Sequence, residues 1–372
     1  MISGLFLLSV VLLYSAILLW CLAAWKKGRK EYSPIQKEAE SISVLIPARN
    51  ESSRILHTLT FFSRVDISST DVEIIVIDDQ SEDGTVALVR QFIADHPSVN
   101  LKLIESRATS GKKLAIELGV QAAINKIIVT TDADVQLQPN WLKELIGALQ
   151  PAGLVCGPVL LKNTEQRSFV GNIVTLESLG LAVISASGIV QHTPFFCNGA
   201  NMAFYKEDFI RLGGYRDTAN EMTGDDTSLL LKYPPEKVSF AFQSDAVVIA
   251  EPTVSLSDFI RQRQRWASKV PTTLTRSTLI FAVIAWMTHA MLLWSTIACI
   301  FFQFHVLIIV ISLFIKVVVE YAVLKASSNF FREHVSLIVL LVAQPIYWTA
   351  IVIIGMLAVF LPYQWKGRSS KR

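Results

Sequence analysis

The sequence predicts a doubly wound α/β domain framed by apolar segments of membrane-spanning length, and three observations carry that prediction. The 372-residue chain is 52% hydrophobic and 17% charged, with a mean hydropathy of +0.44, too apolar for a soluble domain of this size. From Ser43 to about Ala250, short apolar runs alternate with helical periods, as in strands joined by crossover helices in a parallel sheet. Two of those runs climb into paired carboxylates: Ile127–Val135 reads IIVTTDADV and Val76–Thr85 reads VIDDQSEDGT. A β-branched apolar run is tolerated as a strand only where both faces are dry. Aspartate is a poor strand former, so each pair marks a strand's carboxyl edge, where open α/β sheets bind ligands.

The N-terminal element, Leu5–Trp25, is an apolar run followed at once by Lys26, Lys27, Arg29 and Lys30. A cleavable signal would carry its positive charges before the apolar core. With the charges after it, residues 1–25 read as a transmembrane anchor with the N-terminus outside and the basic 26–42 linker in the cytoplasm. Strands are expected at Ser43–Ile46, Val72–Ile77, Leu101–Ile104, Ile127–Thr131 and Leu154–Leu161, with helices at Glu51–Phe62, Thr85–Ala94, Lys112–Ile124 and Asn140–Leu149. These place a cytoplasmic domain at 43–270.

The C-terminal region, 278–361, holds Leu279–Phe302, Phe304–Leu324 and Val335–Leu361, each long enough to span, the last interrupted by Pro345. Lys316 and Glu320, one turn apart, either pair within the bilayer or lie wet at its interface. One N-terminal and three C-terminal crossings would leave the basic tail 362–372, with Lys366, Arg368, Lys371 and Arg372, on the outer side, against the positive-inside rule. Either one C-terminal segment is re-entrant or interfacial, or Pro345 splits the last run into a hairpin.

A net charge of +3 with no extended basic region gives no argument for nucleic acid. The four cysteines, Cys21, Cys156, Cys197 and Cys299, form no CxxC pair, which argues against a zinc site or a disulfide framework.

Asp132 and Asp134, spaced by the small Ala133, suit a hard divalent cation that bridges to phosphate oxygens, or else satisfy backbone amides at a strand-end turn. Ile46–Glu51, IPARNE, reads as a strand-to-helix turn in which Glu51 faces a ligand or begins a helix capped by Asn50. Asp78 and Asp79 stand where a carboxylate can accept from a nucleobase or ribose, or cap the next helix. Gly111-Lys112-Lys113 opens a helix, a place suited to phosphate, without the P-loop pattern. Phe196–Phe204, FCNGANMAF, offers Gly199 for close backbone approach and Asn201 as a polar wall. Asp225 and Asp226 either carry chemistry or open a capped helix. Gln262, Arg265 and Trp266 share one helical face beside a membrane segment, while Arg261, Arg263 and Lys269 are expected to rest on anionic lipid as a basic juxtamembrane helix does.

These stretches together resemble the family 2 glycosyltransferases over roughly Ser43 to Lys269: IPARNE, VIDDQSEDGT, a GK before a helix, TDAD, NGANMAF, GDDTSL and QxxRW appear in that family's order. The resemblance implies a GT-A fold (Rossmann-like) plus transmembrane helices, with a nucleotide-diphosphate sugar bound together with Mg²⁺ or Mn²⁺. It implies that Ala48, Glu51 and Asp79 hold the nucleoside and Lys112 the diphosphate side, that Asp132 faces the nucleotide, and that the metal sits at Asp132 and Asp134. Asp226 falls at the family's catalytic base, with Asp225 where the family usually has Glu. Gly199, Asn201, Gln262, Arg265 and Trp266 would line the acceptor and diphosphate side.

The resulting expectation is an inverting glycosyltransferase of the inner cell membrane, multi-pass and with its catalytic domain cytoplasmic. Its donor would be a nucleotide sugar, a UDP-sugar above others, and its acceptor a lipid of the bilayer, as in transferases of carotenoid acids or ceramide-like lipids. The alternatives are a processive polysaccharide synthase and a catalytically inactive nucleotide-sugar-binding scaffold of a glycan assembly complex.

Overall fold

The structure, a computed structural model, describes residues 2–33, 41–64, 71–106, 111–149, 152–162, 168–218, 224–252, 256–268, 275–302, 306–361, 364–365 and 368–369. The chain forms two compact units. One comprises Glu31–Leu161 and Phe196–Glu251; the other comprises Met1–Lys30, Lys162–Phe195 and Pro252–Arg372.

The first unit is the α/β body. In chain order it contains β1 (Ile42–Ala48), α2 (Ile55–Arg64), β2 (Val72–Asp78), α3 (Thr85–Asp95), β3 (Leu101–Glu105), α4 (Lys112–Ala122), β4 (Ile127–Thr130), β5 (Val135–Gln136) and α5 (Trp141–Gly147). It continues with β6 (Leu154–Cys156), β7 (Val159–Leu161), β8 (Met202–Tyr205), α7 (Lys206–Arg211), α8 (Asp225–Leu230), β9 (Val238–Phe240) and β10 (Val248–Ala250). Seven strands form a sheet in the order β3-β2-β1-β4-β8-β6-β9, and β5-β10-β7 form a second. β1, β2, β3 and β4 run parallel, as the strand–helix alternation predicts. The rest departs from the wholly parallel sheet expected, because β8 pairs antiparallel with both β4 and β6. The run 154–161 is likewise not one strand: it breaks after Cys156, and its halves enter different sheets. Proline has no N–H for a ladder, so Pro158 lies at that break.

Both faces of the central strands are dry. Val44, Leu45, Ile46, Ile74, Ile75 and Val76 are wholly buried, which explains why these strands are continuously apolar rather than alternating. Register then decides where the acids emerge: Ala48 lies beside Asp78, and Leu45 beside Thr130. The strand ends that carry Asp78, Asp79 and Asp132 therefore open on one rim of the sheet.

The second unit contains α1 (Ile2–Glu31), α6 (Phe169–Val190), α9 (Leu256–Ala267), α10 (Arg276–Phe302), α11 (Val306–Phe331), α12 (Leu337–Phe360) and the short β11 (Gln364–Trp365) and β12 (Arg368–Ser369). Of these, α1, α6, α10, α11 and α12 are long and apolar enough to cross a membrane. Four were expected. The fifth, α6, lies inside the 43–270 stretch and groups with the apolar helices, so that stretch is not one continuous unit.

Lys316 is completely buried and pairs with Glu320 at 2.7 Å. Tyr14 donates to Glu320 at 2.9 Å, and Gln344 receives Lys316 at 2.6 Å and donates to Glu320 at 3.0 Å. The pair lies within α11 and is dry rather than wet, with further hydrogen bonds supplied from α1 and α12. α12 continues through Pro345. Most of the basic tail lies outside the described residues.

Candidate active site

Two loops at the rim are zipped together. The Asn50 N–H donates to Ser81 Oγ and the Glu82 N–H to Asn50 Oδ1, both at 2.9 Å. Glu51 donates its N–H to Thr85 Oγ1 at 2.8 Å and Ser52 to Asp83 at 3.1 Å. Asn50 thus braces the neighbouring loop and does not cap a helix that starts only at Ile55. Burial alone would raise the Asp83 carboxyl, but the hydrogen bonds from Thr85 and Ser52 outweigh it and hold it far below the usual carboxylate range. Ala48, buried at the end of β1, accepts the Asp79 N–H at 2.8 Å, and the Asp79 carboxylate accepts the Gly111 N–H at 2.9 Å. Asp79 therefore ties the β2 rim to the start of α4, where Lys112 stands.

The turn that carries Asp132 and Asp134 is held from below by Thr58 of α2. Its hydroxyl lies 3.0 and 2.9 Å from the carbonyls of Ala133 and Val135. It also accepts the Val135 N–H at 3.1 Å. At the centre of the site stands Lys112. Its ammonium lies 2.7 Å from Asp132 Oδ1 and 3.3 Å from Asp225 Oδ2. Burial alone would lower this amine, but Asp132, Asp225 and Asp226 outweigh it and hold it well above the usual lysine range. One lysine thus joins the DAD stretch to the GDD stretch, about 90 residues on in the chain.

Two glycines permit this approach. Gly224 has φ +87°, a left-handed turn that delivers Asp225 and Asp226 into the first turn of α8. A Cβ on Gly199 would lie 2.6 Å from Asp225 Oδ2 and 3.3 Å from Lys112 Nζ, so only a bare backbone fits beside the pair. Thr130 fixes that backbone by donating to the Gly199 carbonyl at 3.0 Å. Asp225 is buried while Asp226 is half-exposed; the two adjacent acids occupy distinct environments.

Asp134 meets Arg54 at 3.3 Å, a partner with no recognisable signal in the sequence. Asp132 and Asp134 are each matched by a cation, and their donors are all carboxylate oxygens. That set fits a hard divalent ion, which binds through one or two carboxylates and completes its shell with phosphates and water. Among the described residues no group of three or more His, Cys, Asp or Glu could hold a metal by itself.

Asn201 departs from its expected place. It is wholly buried; its amide donates to the carbonyls of Pro158 and Ala246 at 2.8 Å each and accepts Trp141 Nε1 at 2.9 Å. All of its hydrogen-bonding capacity named here is spent on the core, so it buttresses the wall that carries Gly199 and does not face an acceptor.

Gln262, Arg265 and Trp266 lie on α9 in the other unit and are half-buried. Between them, Arg263 is turned inward with only 5% of its surface exposed. Its guanidinium lies 4.3 Å from the Phe259 ring centroid and 4.7 Å from that of Trp266. Arg263, expected to rest on lipid, is instead turned inward to its partner Glu177 on α6, which no motif singled out.

Comparison with known proteins agrees with this architecture. Residues 43–213 match the family described as Glycosyl transferase family 2. The 4,4'-diaponeurosporenoate glycosyltransferase of Staphylococcus haemolyticus is 33% identical over 234 residues, 59% of this chain and 56% of that protein. The probable glycosyltransferase YdaM of Bacillus subtilis is 25% identical over 236 residues, 62% of this chain and 55% of that protein. The chain therefore spans about half the length of these curated relatives. A solved structure, the mannosyltransferase PcManGT of Pyrobaculum calidifontis in complex with GDP-Man and Mn²⁺, superposes with a TM-score of 0.57 at 17% identity, covering 94% of this chain and 99% of that one. At that identity the likeness is one of fold, and the fold is GT-A.

Proposed function

This chain carries a domain of glycosyl transferase family 2, and from that premise we propose that it is a membrane-anchored inverting glycosyltransferase acting on a lipid acceptor. The sugar would move from a nucleotide diphosphate, a UDP-sugar in the first instance, to a hydroxyl or carboxyl at the membrane surface. The observation that carries this reading is Lys112, which lies within 3.3 Å of both Asp132 and Asp225. A cation gathered among three carboxylates at a sheet rim suits a leaving diphosphate, whose growing charge it offsets.

In this reading the half-exposed Asp226 takes the proton of an acceptor hydroxyl as its oxygen attacks the anomeric carbon from the face opposite the diphosphate. A base so placed contributes on the order of 10²–10⁴-fold. Ala48, Glu51 and Asp79 border the nucleoside, and Lys112 receives the diphosphate. Asp132 and Asp134 would hold Mg²⁺ or Mn²⁺, which supplies charge neutralisation at the diphosphate when bound. Gln262, Arg265 and Trp266 serve the acceptor side.

In this reading the basic residues that follow the apolar run of α1, Lys26, Lys27, Arg29 and Lys30, stay in the cytoplasm by the positive-inside rule. The catalytic domain, which continues the chain from them, then lies on the cytoplasmic side with the N-terminus outside.

The test uses purified full-length protein in detergent with membrane lipid extract and Mn²⁺, offered a panel of UDP- and GDP-sugars while nucleotide release is followed. Lipid-dependent release from one donor, lost in Asp226→Asn with nucleotide binding kept within about threefold, is the expected result. Normal turnover in that variant would remove Asp226 as the base. A long polymeric product would make the enzyme a processive synthase instead.

A further inference from the structure

We propose that Glu177, on α6, is a positioning residue for the acceptor-side helix α9 and acts through Arg263. This rests on the reading of Gln262, Arg265 and Trp266 as acceptor-side groups.

The geometry is direct. Arg263 Nε donates to Glu177 Oε2 at 3.1 Å, and Nη2 forms a second bond to the same oxygen. Both side chains are nearly sealed from solvent, 6% exposed for the arginine and 8% for the glutamate. The remaining faces of the guanidinium engage the acceptor-side residues themselves: Nη1 donates to Gln262 Oε1, and the Trp266 ring packs against it at 4.7 Å. Glu177 also faces the Tyr347 hydroxyl of α12 at 3.5 Å.

α9 is short and strongly polar, with Arg261, Arg263 and Arg265 on successive odd positions. Phe259, Ile260, Trp266 and Ala267 stand three and four residues from Arg263, so the apolar face of α9 carries this arginine inward with it and leaves a cation there to be neutralised. In a helix, residues two apart lie roughly 200° apart around the axis. Burying Arg263 therefore turns Arg265 to the opposite side and leaves Gln262 and Trp266 flanking the buried guanidinium. A buried cation is tolerated only when paired and hydrogen-bonded, and Glu177 is the carboxylate that pairs it. Without that charge, Arg263 gains by turning to water, which rotates α9 and releases both the Gln262 amide and the Trp266 ring. The apolar helix α6, inserted between strands of the catalytic unit, thereby acquires a role: it supplies the carboxylate that secures the facing of α9.

The test compares Glu177→Gln with the double variant Glu177→Leu/Arg263→Met, in full-length protein with the donor and lipid extract found active above. A pair of apolar residues fills the same space without charge, so it restores the packing that holds α9 inward. Glu177→Gln is expected to lower lipid-dependent transfer at least tenfold, mainly through the KM for lipid. Mn²⁺-dependent UDP or GDP binding should stay within about twofold. The double variant should recover to within about threefold of the parent. A single variant with unchanged transfer, or equal loss of nucleotide binding and transfer, overturns the proposal. So does a double variant as impaired as the single one, since the charges themselves would then be used. Gln262→Ala serves as the control on the premise: if it leaves lipid-dependent transfer intact, the acceptor-side reading of α9 fails whatever Glu177 does.

Discussion

Replacing Lys112 by methionine keeps the length of the side chain and removes the cation that joins Asp132 to Asp225. Opposite unit charges about 4 Å apart attract by roughly 4 kcal/mol at an effective dielectric near 20, but desolvation has already consumed most of that gross value. The Asp132 side chain is 35% exposed, so water replaces its lost partner and its share falls to about 1 kcal/mol or less. Asp225, at 9% exposed, has little such recourse. Stranding a fully buried charge costs about 3–5 kcal/mol, and the partial exposure of Lys112 reduces this to about 2. The sum is about 2–3 kcal/mol at neutral pH. For a body in the 150–250-residue class each kcal/mol shifts the melting midpoint by about 2–4 °C, so a loss of about 5–10 °C is expected in detergent-purified protein. Nucleotide binding should weaken at the same time. A variant with the parent's midpoint would refute the claim that Lys112 neutralises buried acids in the folded protein.

Asp134→Ala should weaken Mn²⁺-dependent nucleotide binding by tenfold or more in titration calorimetry while leaving the melting midpoint within about 2 °C, since its Arg54 partner is exposed. Asn201→Ala should destabilise by about 2–4 kcal/mol, because it orphans Trp141 Nε1 and the carbonyls of Pro158 and Ala246 in a dry core. Its signature is a fall in the yield of folded protein with specific turnover of that fraction retained; a folded, stable but inactive variant would return Asn201 to the site. Asp83, whose carboxyl is depressed by bonds from Thr85 and Ser52, contributes stability above the ordinary aspartate value of about 3.9 that is lost as pH falls below it. Asp83→Asn should therefore lower the midpoint at pH 7 and flatten its decline on the acid side, followed by thermal unfolding between pH 7 and 3.

Sequence alone determined much of this protein because much of it is one-dimensional. The apolar runs at 44–46, 74–77 and 127–129 and the acids that end them follow from chain order, since a strand dry on both faces has to be continuously apolar. The lengths of α1, α10, α11 and α12 follow in the same way from what a bilayer requires. Pairings between distant segments are a different matter. That β8 runs antiparallel to β4, that Lys112 reaches both Asp132 and Asp225, and that Asn201 is consumed by Trp141, Pro158 and Ala246 are facts of register and packing on which local propensity is silent. α6 escaped notice because an apolar stretch inside an alternating α/β pattern reads as more of the same; only its grouping with the other long helices separates it. Of the three arginines of α9, Arg263 leaves the lipid-resting side expected of it: it stands three and four residues from Phe259, Ile260, Trp266 and Ala267 and shares their face. Tertiary structure decides, because a guanidinium leaves water only where a carboxylate is waiting, and Glu177 of another helix stands opposite Arg263.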